Sequence, residues 1–274
     1  MESQETPGPE RPRLAEERRA QIADLLRANR SVSVAEIEQR FAVSPMTARR
    51  DLAELERQGV ARRTHGGAVL PGSSRHEDSF STRLATATAA KRTLAAAAAA
   101  TVEDGESLFL DSSTTSFHLA RALLADDRRV TVMTNALPIV ELLTADGRET
   151  IDLVVVGGQL RRISRSTVGP LAVEAVRRHW ADHAFLSVKG LAPDGALTDA
   201  DPLEAEVKRA MIERASRPVL LIDAEKLDRR GLSVIAPLSA IGEVLVSGTA
   251  NEAVARLEGH GADVSQVSGE DGAA

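Results

Sequence analysis

The sequence predicts an α/β protein in two parts: a small, basic, helical unit followed by a larger unit built on a mainly parallel sheet. Three observations carry this. Between residues 106 and 257, short apolar runs alternate with amphipathic helical stretches, the pattern of a mainly parallel sheet with helices on both faces. Between residues 13 and 70, three helical stretches lead into a short basic run and a Gly-Gly pair. The charge divides at the same place. Residues 11–70 carry 12 Arg and 8 acids, whereas residues 71–274 carry 22 basic and 29 acidic residues, within a net charge of −6. Such asymmetry is expected of a small basic reader of polyanions joined to an acidic body.

Composition sets the outer limits. A chain of 274 residues with 43% apolar content can bury a sizeable core. Aromatics are scarce (five Phe, one Trp, no Tyr), so Leu, Val, Ile and Ala must fill that core. The absence of Cys excludes disulfides and thiolate chemistry and allows a reducing compartment. No basic-plus-apolar leader opens the chain, and the Ala-rich run at 94–101 is too short to span a bilayer. A soluble, cytoplasmic protein with no membrane partner is expected.

In chain order, residues 1–12 are polar with three Pro and are expected to be a disordered tail. Residues 13–29 form a first helix with Ile22, Leu25 and Leu26 on its apolar side. Ser33 can cap a second helix, and Glu36 completes a capping box. Ile37 and Phe41 mark that helix's buried face, and Ala42-Val43 turns the chain. Ser44 then caps a third helix whose first turn accepts Pro45. Leu52 and Leu55 point one way, Thr47, Arg49 and Arg50 stay near the start, and Gly59 is placed to end the helix. Arg62, Arg63, Thr64, His65 and a Gly-Gly turn follow. A short helix with a basic start and a basic hairpin behind it is what a winged helix-turn-helix presents to double-stranded DNA. By itself the stretch also reads as a solvated amphipathic helix with surface arginines. On the DNA reading, Thr47, Ala48 and Arg49 reach bases, with Ser44 and Met46 beside them. Arg50, Arg57, Arg62, Arg63 and His65 contact phosphate or the adjacent groove. Asp51 pairs with a nearby Arg, and Leu52 belongs to the core.

These residues resemble the DeoR family of bacterial transcription regulators. The resemblance lies in V-S-V-A-E-I (32–37), F-A-V-S-P-M-T-A-R-R-D-L (41–52), L-E-R-Q-G (55–59) and R-R-T-H-G-G-A (62–68). The family more often has Ile where this chain has Ala48. The reader is thus placed at 13–70, followed by a linker that starts with P-G-S-S-R-H-E-D and runs over 71–88.

The second unit is placed at 89–257. Residues 83–102 form one Ala-rich packing helix. A strand at 107–110 ends in Asp111, and Ser112, Ser113, Thr114 and Thr115 lead into a helix through Leu119 and Leu123. A strand at 130–133 ends in Thr134-Asn135, with a helix after Pro138. A strand at 151–156 ends in Gly157-Gly158, and one at 184–188 ends near Lys189-Gly190. A helix at 203–215 precedes a strand at 219–222 ending in Asp223. The last strand is 244–246, the last helix 252–257, and 258–274 is expected to be a disordered tail. The result is a Rossmann-like α/β unit, and in such sheets ligands bind beyond the carboxyl ends of the strands. Four hydroxyl residues between strand and helix offer O–H donors, backbone N–H groups and a helix dipole to an anion. An ordinary helix cap with extra serines is the plainer alternative. Lys226, three residues beyond Asp223, can supply a matching cation.

This half also resembles the DeoR family, in its sensor domain. The marks are Lys91, L-D-S-S-T-T (110–115), T-N (134–135), V-G-G (156–158), Gly169, A-F-L-S (184–187) with Gly190, G-A-L-T (195–198), E-V-K-R-A-M (206–211) and L-I-D-A-E-K (221–226). Where this chain has Ser113 the family usually has Gly. The family's sensor is similar to sugar-phosphate isomerases and deaminases. The resemblance implies a phosphorylated sugar or related metabolite as effector. Asp111, Ser112, Ser113, Thr114 and Thr115 would hold its phosphate, and Asn135, Gly157, Gly158, Lys189, Gly190, Asp223 and Lys226 would line its pocket.

Two functions follow. The first is a DNA-binding regulator, a repressor of a carbohydrate-catabolism operon relieved by its effector and acting as a homodimer or homotetramer, since a palindromic operator needs two readers. The second is a sugar-phosphate isomerase or deaminase carrying a DNA-binding domain. Asp194 and Asp223 are its best acid/base candidates, but no spacing fixes two carboxylates around a substrate. No cofactor is implied. His179 and His183 lie four apart without a third ligand, so no metal site is expected.

Overall fold

The computed structural model describes residues 15–29, 31–64, 66–69, 77–145, 149–248 and 251–268. The chain divides into two compact units, Met1–Ser73 and Ser74–Ala274.

The first unit begins with α1 (Ala15–Asn29), the short strand β1 (Ser31–Ser33), α2 (Val34–Phe41) and α3 (Pro45–Arg57). It closes with β2 (Arg62–Thr64) and β3 (Gly67–Val69), a hairpin whose second strand also pairs antiparallel with β1. The expected caps are in place. The Glu36 N–H donates to Ser33 Oγ at 3.0 Å while Glu36 Oε2 accepts from the Ser33 N–H at 3.5 Å. The Thr47 N–H donates to Ser44 Oγ at 3.3 Å. Gly59, with φ at +72°, follows the end of α3. Ile22 and Leu26 of α1, Ile37 of α2 and Leu52 of α3 are each essentially inaccessible to solvent and meet in one core. Each contributes about 1.5–3 kcal/mol by burial. The strand β1 was not foreseen. Gly67 makes it possible: a Cβ there would lie 2.1 Å from the Val32 carbonyl oxygen.

The second unit opens with α4 (Phe80–Ala85), α5 (Thr88–Ala100), β4 (Ser107–Leu110), α6 (Thr114–Ala125), β5 (Val130–Thr134), α7 (Leu137–Ala145) and β6 (Ile151–Val155). A hairpin of β7 (Gln159–Arg161) and β8 (Ser166–Val168) leads to α8 (Pro170–Arg177) and β9 (Ala181–Leu186). Then come β10 (Gly190–Leu191), β11 (Ala196–Asp199), α9 (Pro202–Glu213), β12 (Ala215–Asp223), β13 (Ser233–Pro237), β14 (Glu243–Ser247), α10 (Asn251–Gly259) and β15 (Val264–Val267).

Seven strands form one parallel sheet in the order β15-β14-β12-β9-β4-β5-β6. Both faces are apolar because alternate residues point to opposite sides. Leu108 and Leu110 of β4, with Val219 and Leu221 of β12, join the core beneath α5, α6 and α7. Phe109, Leu220 and Ile222 join the other core, with α8 and α9. The chain enters at the centre on β4, steps outward to β5 and β6, then returns to β9 and steps outward the other way. The order therefore reverses between β4 and β9, which opens a crevice beyond their carboxyl ends.

Three expectations need correction. The single Ala-rich helix over 83–102 is two helices: Ala87, at φ +49°, breaks the run, and α5 starts at Thr88. The Lys91 ammonium fixes the break by donating to the carbonyls of Arg83 and Thr86. The linker expected over 71–88 therefore contains α4 and the beginning of α5. At the other end, residues 258–268 do not form a tail: β15 pairs in parallel with β14, Val264 opposite Val244, and completes the sheet. The expected tails at 1–12 and 269–274 lie outside the described residues. The small antiparallel sheet β10-β11-β13 was not foreseen. Among the described residues, no helix is long and apolar enough to cross a membrane.

Candidate functional site

In the first unit, helical spacing divides α3 into two faces. Ala48, Asp51, Leu52 and Leu55 face the core. Met46, Arg49 and Arg50, at positions i, i+3 and i+4, face outward, and Met46 is 71% exposed. Arg49 and Arg50 have no ion-pair partner among the described residues. Ala48 corrects the expectation that it reaches bases: it is completely buried. Thr47 is half-buried and shares a 3.0 Å hydrogen bond with the Ser44 hydroxyl, so both serve the cap. Arg57 is exposed but paired with Glu54 at 2.5 Å. On the hairpin, the Arg63 backbone N–H and Nε both donate to Glu56 at 2.9 Å. Arg62 lies in β2, and His65 lies outside the described residues. Asp51 accepts from Arg18 Nε at 2.6 Å, as its structural reading requires.

In the second unit, the crevice between β4 and β9 is floored by charge. The Asp111 carboxylate follows β4 and is buried. It accepts from the Ser113 N–H at 3.0 Å, the Ser116 hydroxyl at 2.6 Å and the Ser187 N–H at 3.0 Å, so one side chain joins the ends of β4 and β9 and the start of α6. Lys208 of α9 lies 3.2 Å from Asp111 and 2.6 Å from Asp199. Burial alone would raise the Asp111 pKa, but Lys208 and these hydrogen bonds outweigh it and hold the carboxyl below the ordinary carboxylate range. Lys208 is likewise held charged: burial opposes its ammonium, and Asp199, Asp111 and Glu204 together prevail.

Above this floor lies a cavity. Of the expected residues, Ser113, Thr114, Lys189, Asp223 and Lys226 line it. Ser113 spends its hydroxyl on capping α6, accepting from the Ser116 N–H at 3.0 Å. What remains for a ligand at the helix start are the first N–H groups of α6, which have no intrahelical acceptor. Lys226 donates to the Ser187 hydroxyl at 2.9 Å and pairs with Asp223 at 3.5 Å. Its pKa is lowered, first by burial.

The remaining expected residues do not line the cavity. Asp111 is its foundation, and Thr115 is buried away from it. Ser112 turns its hydroxyl to Glu204 at 2.7 Å, and Ser166 binds the other oxygen of the same carboxylate. Asn135 donates to the Thr167 carbonyl at 2.8 Å. Gly157 is exposed, and Gly158 lets the chain pass close to Val168. Gly190 admits the Arg229 carbonyl, which a Cβ would meet at 1.8 Å. Asp194 caps the turn before β11 by accepting from the Ala196 N–H, so it is not brought to Asp223. His179 and His183 part company, one hydrogen-bonded to the Ala175 carbonyl and the other facing Glu106 at 3.2 Å.

The cavity also gathers residues that the sequence did not single out as ligands: Glu77, Arg83, Lys91, Ser187, Lys208 and Arg229. Glu77 is gripped by Arg161 of β7, which also pairs with Asp201 at 3.1 Å. The Phe80 N–H donates to the Ile163 carbonyl at 2.8 Å. Together these anchor α4 as a wall of the cavity. The pKa of Lys91 is lowered to about 8 by burial and then by Lys226. Burial, Arg229 and Arg83 lower that of Lys189.

Comparison with known proteins gives the same division. Residues 18–74 match the DeoR-like helix-turn-helix domain, and residues 86–248 match the DeoR C-terminal sensor domain. The chain is 35% identical to the transcriptional repressor AccR of Agrobacterium fabrum, over 85% of this chain and 90% of that protein. It is 32% identical to the glycerol-3-phosphate regulon repressor of Escherichia coli K12, over 81% and 87%. It is 33% identical to the HTH-type transcriptional repressor GlcR of Bacillus subtilis, over 88% and 92%. A family reader and a family sensor thus occupy the two units in which an outward basic helix face and a cation-lined crevice were found, and the chain belongs to the DeoR family of DNA-binding transcriptional regulators.

Proposed function

We propose that the chain represses a carbohydrate-catabolism operon and is released from its operator when a phosphorylated sugar or related metabolite enters the β4–β9 crevice. The observation that carries this is the convergence of the α6 start with Lys226 and its neighbouring cations in one cavity. The printed names of relatives, a glycerol-3-phosphate regulon repressor among them, support the class of effector. On the DNA side, Met46 and Arg49 of α3 face the major groove, with Arg50, Arg57, Arg62, Arg63 and His65 toward the backbone. Two copies read a palindrome, as a homodimer or homotetramer. A wall of the cavity is made by Glu77 and Arg83, in the first described stretch of the second unit. A ligand that favours one arrangement of this wall shifts the population of DNA-binding states.

The enzyme alternative is disfavoured by the cavity's acids. Glu77, Asp199, Asp223 and Glu225 each hold a cation, and Asp78 Oδ1 is buried, whereas a general base needs an accessible lone pair. Fluorescence anisotropy on DNA from the upstream region of the protein's own gene, with and without a panel of sugar phosphates, tests the proposal. Salt-sensitive binding relieved by one compound supports it. Turnover of ribose 5-phosphate or glucosamine 6-phosphate would instead support the enzyme.

A further inference from the structure

The cavity's charges are not balanced. Five carboxylates line it, Asp78 among them, against six cations. The other four have cations of their own: Glu77 with Arg161, Asp199 with Lys208, Asp223 with Lys226 and Glu225 with Arg229. Lys91 is committed to two backbone carbonyls. Arg83 and Lys189 also line the cavity, and neither forms a close ion pair with a carboxylate among the described residues. Arg83 is the sharper case. Its Nε and Nη2 atoms are buried and make no hydrogen bond. Its guanidinium is braced over the Phe80 ring at 5.9 Å from the centroid, so its position is set by α4. Its charge bears on Lys91, Lys189 and Lys226, so four cations share one space.

Buried donors left without acceptors are costly, and a planar guanidinium matches a carboxylate or phosphate with two parallel hydrogen bonds. The α6 start and Lys226 account for one anionic group. Among the described residues no carboxylate forms an ion pair with Arg83 or Lys189. We infer that the effector carries two anionic groups: one phosphate at the α6 start, and a second phosphate or a carboxylate held by Arg83 with Lys189. This rests on the reading of the cavity as the effector site.

The test uses the full chain and three probes: glucose 6-phosphate, fructose 1,6-bisphosphate and 6-phosphogluconate. Binding is followed by calorimetry and by thermal shift. A probe with two anionic groups should bind at least about tenfold tighter than the monophosphate, the ratio that one charge-assisted contact supplies. The bisphosphate and the phosphosugar acid separate a second phosphate from a carboxylate. Arg83→Gln should remove most of the advantage that the probes with two anionic groups hold over the monophosphate. If that variant does not fold, as judged by circular dichroism, Lys189→Gln serves in its place. Equal binding of the monophosphate and the probes with two anionic groups by the wild type, or a preference that survives both substitutions, overturns the second-anion inference alone. Failure of every probe to bind the wild type overturns it together with the effector reading.

Discussion

Lys208 and Asp111 meet at 3.2 Å in the crevice between β4 and β9, both side chains buried, with Asp199 2.6 Å from the same ammonium. The proposed effector site is built on this contact. Asp111 ties the α6 start to the end of β9, and Lys208 supplies the charge that allows it to be buried.

Removing one partner of a buried ion pair leaves an uncompensated charge, so Lys208→Met should destabilise the second unit by about 3–5 kcal/mol. Urea unfolding measures it. The dependence on pH gives a second reading. The Asp111 pKa lies below the ordinary carboxylate value when folded, so its contribution is full above that ordinary value and is lost as the pH falls through the folded one. Without Lys208, burial pushes the Asp111 pKa upward. The variant should then recover stability relative to wild type between pH 7 and pH 4. A Lys208→Met protein as stable as wild type would remove the pair from its supporting role.

Arg49 and Arg50 project from the outward face of α3 without a carboxylate partner among the described residues, whereas Arg57 and Arg63 are paired with Glu54 and Glu56. Arg49→Ala should therefore cost about 1–3 kcal/mol of operator affinity and relax base preference. Arg50→Ala should reduce the salt dependence by about one phosphate contact. Arg57→Ala should do less than either, since its charge is already half spent. Anisotropy titrations at several salt concentrations separate the three.

Lys91 has its pKa lowered to about 8. An anion in the cavity prefers the charged form, so effector affinity should decline as the pH rises through about 8. For the free protein the sign is opposite. Between the folded value and the ordinary 10.5, the unfolded chain binds more protons, and stability rises with pH. Lys91→Gln should flatten both profiles in calorimetry and thermal unfolding. An effector affinity indifferent to pH between 7 and 9 would contradict Lys91's place at the ligand.

What was legible in the sequence was local. Ser33 with Glu36, and Ser44 with Pro45, announce helix starts within four residues, and both are found where the sequence puts them. The strand-ending positions Asp111 and Asp223 are legible because a parallel strand is an apolar run that stops at a polar residue. The long-range pairings were not. Asp111 meets Ser187 across 76 residues of sequence, and Ser112 meets Glu204 across 92. No spacing reveals that a hydroxyl beside the expected anion loop turns inward to an acid of α9. Arg83 was hidden because the Ala-rich run conceals the break at Ala87, and that break makes α4 a wall of the cavity. The strand β15 was missed because it is a four-residue edge strand with only half-buried Val264 and Val267 facing the sheet's neighbours.

The most direct measurement is operator anisotropy of the wild type and Thr114→Asp side by side, with rising concentrations of the compound that releases the wild type. Thr114 opens α6, where an acidic residue suits the helix but repels an incoming phosphate. The expected result is equal operator affinity without the compound and release of the wild type alone in its presence. Release of both proteins at the same concentration would contradict the account and move the effector away from the β4–β9 crevice.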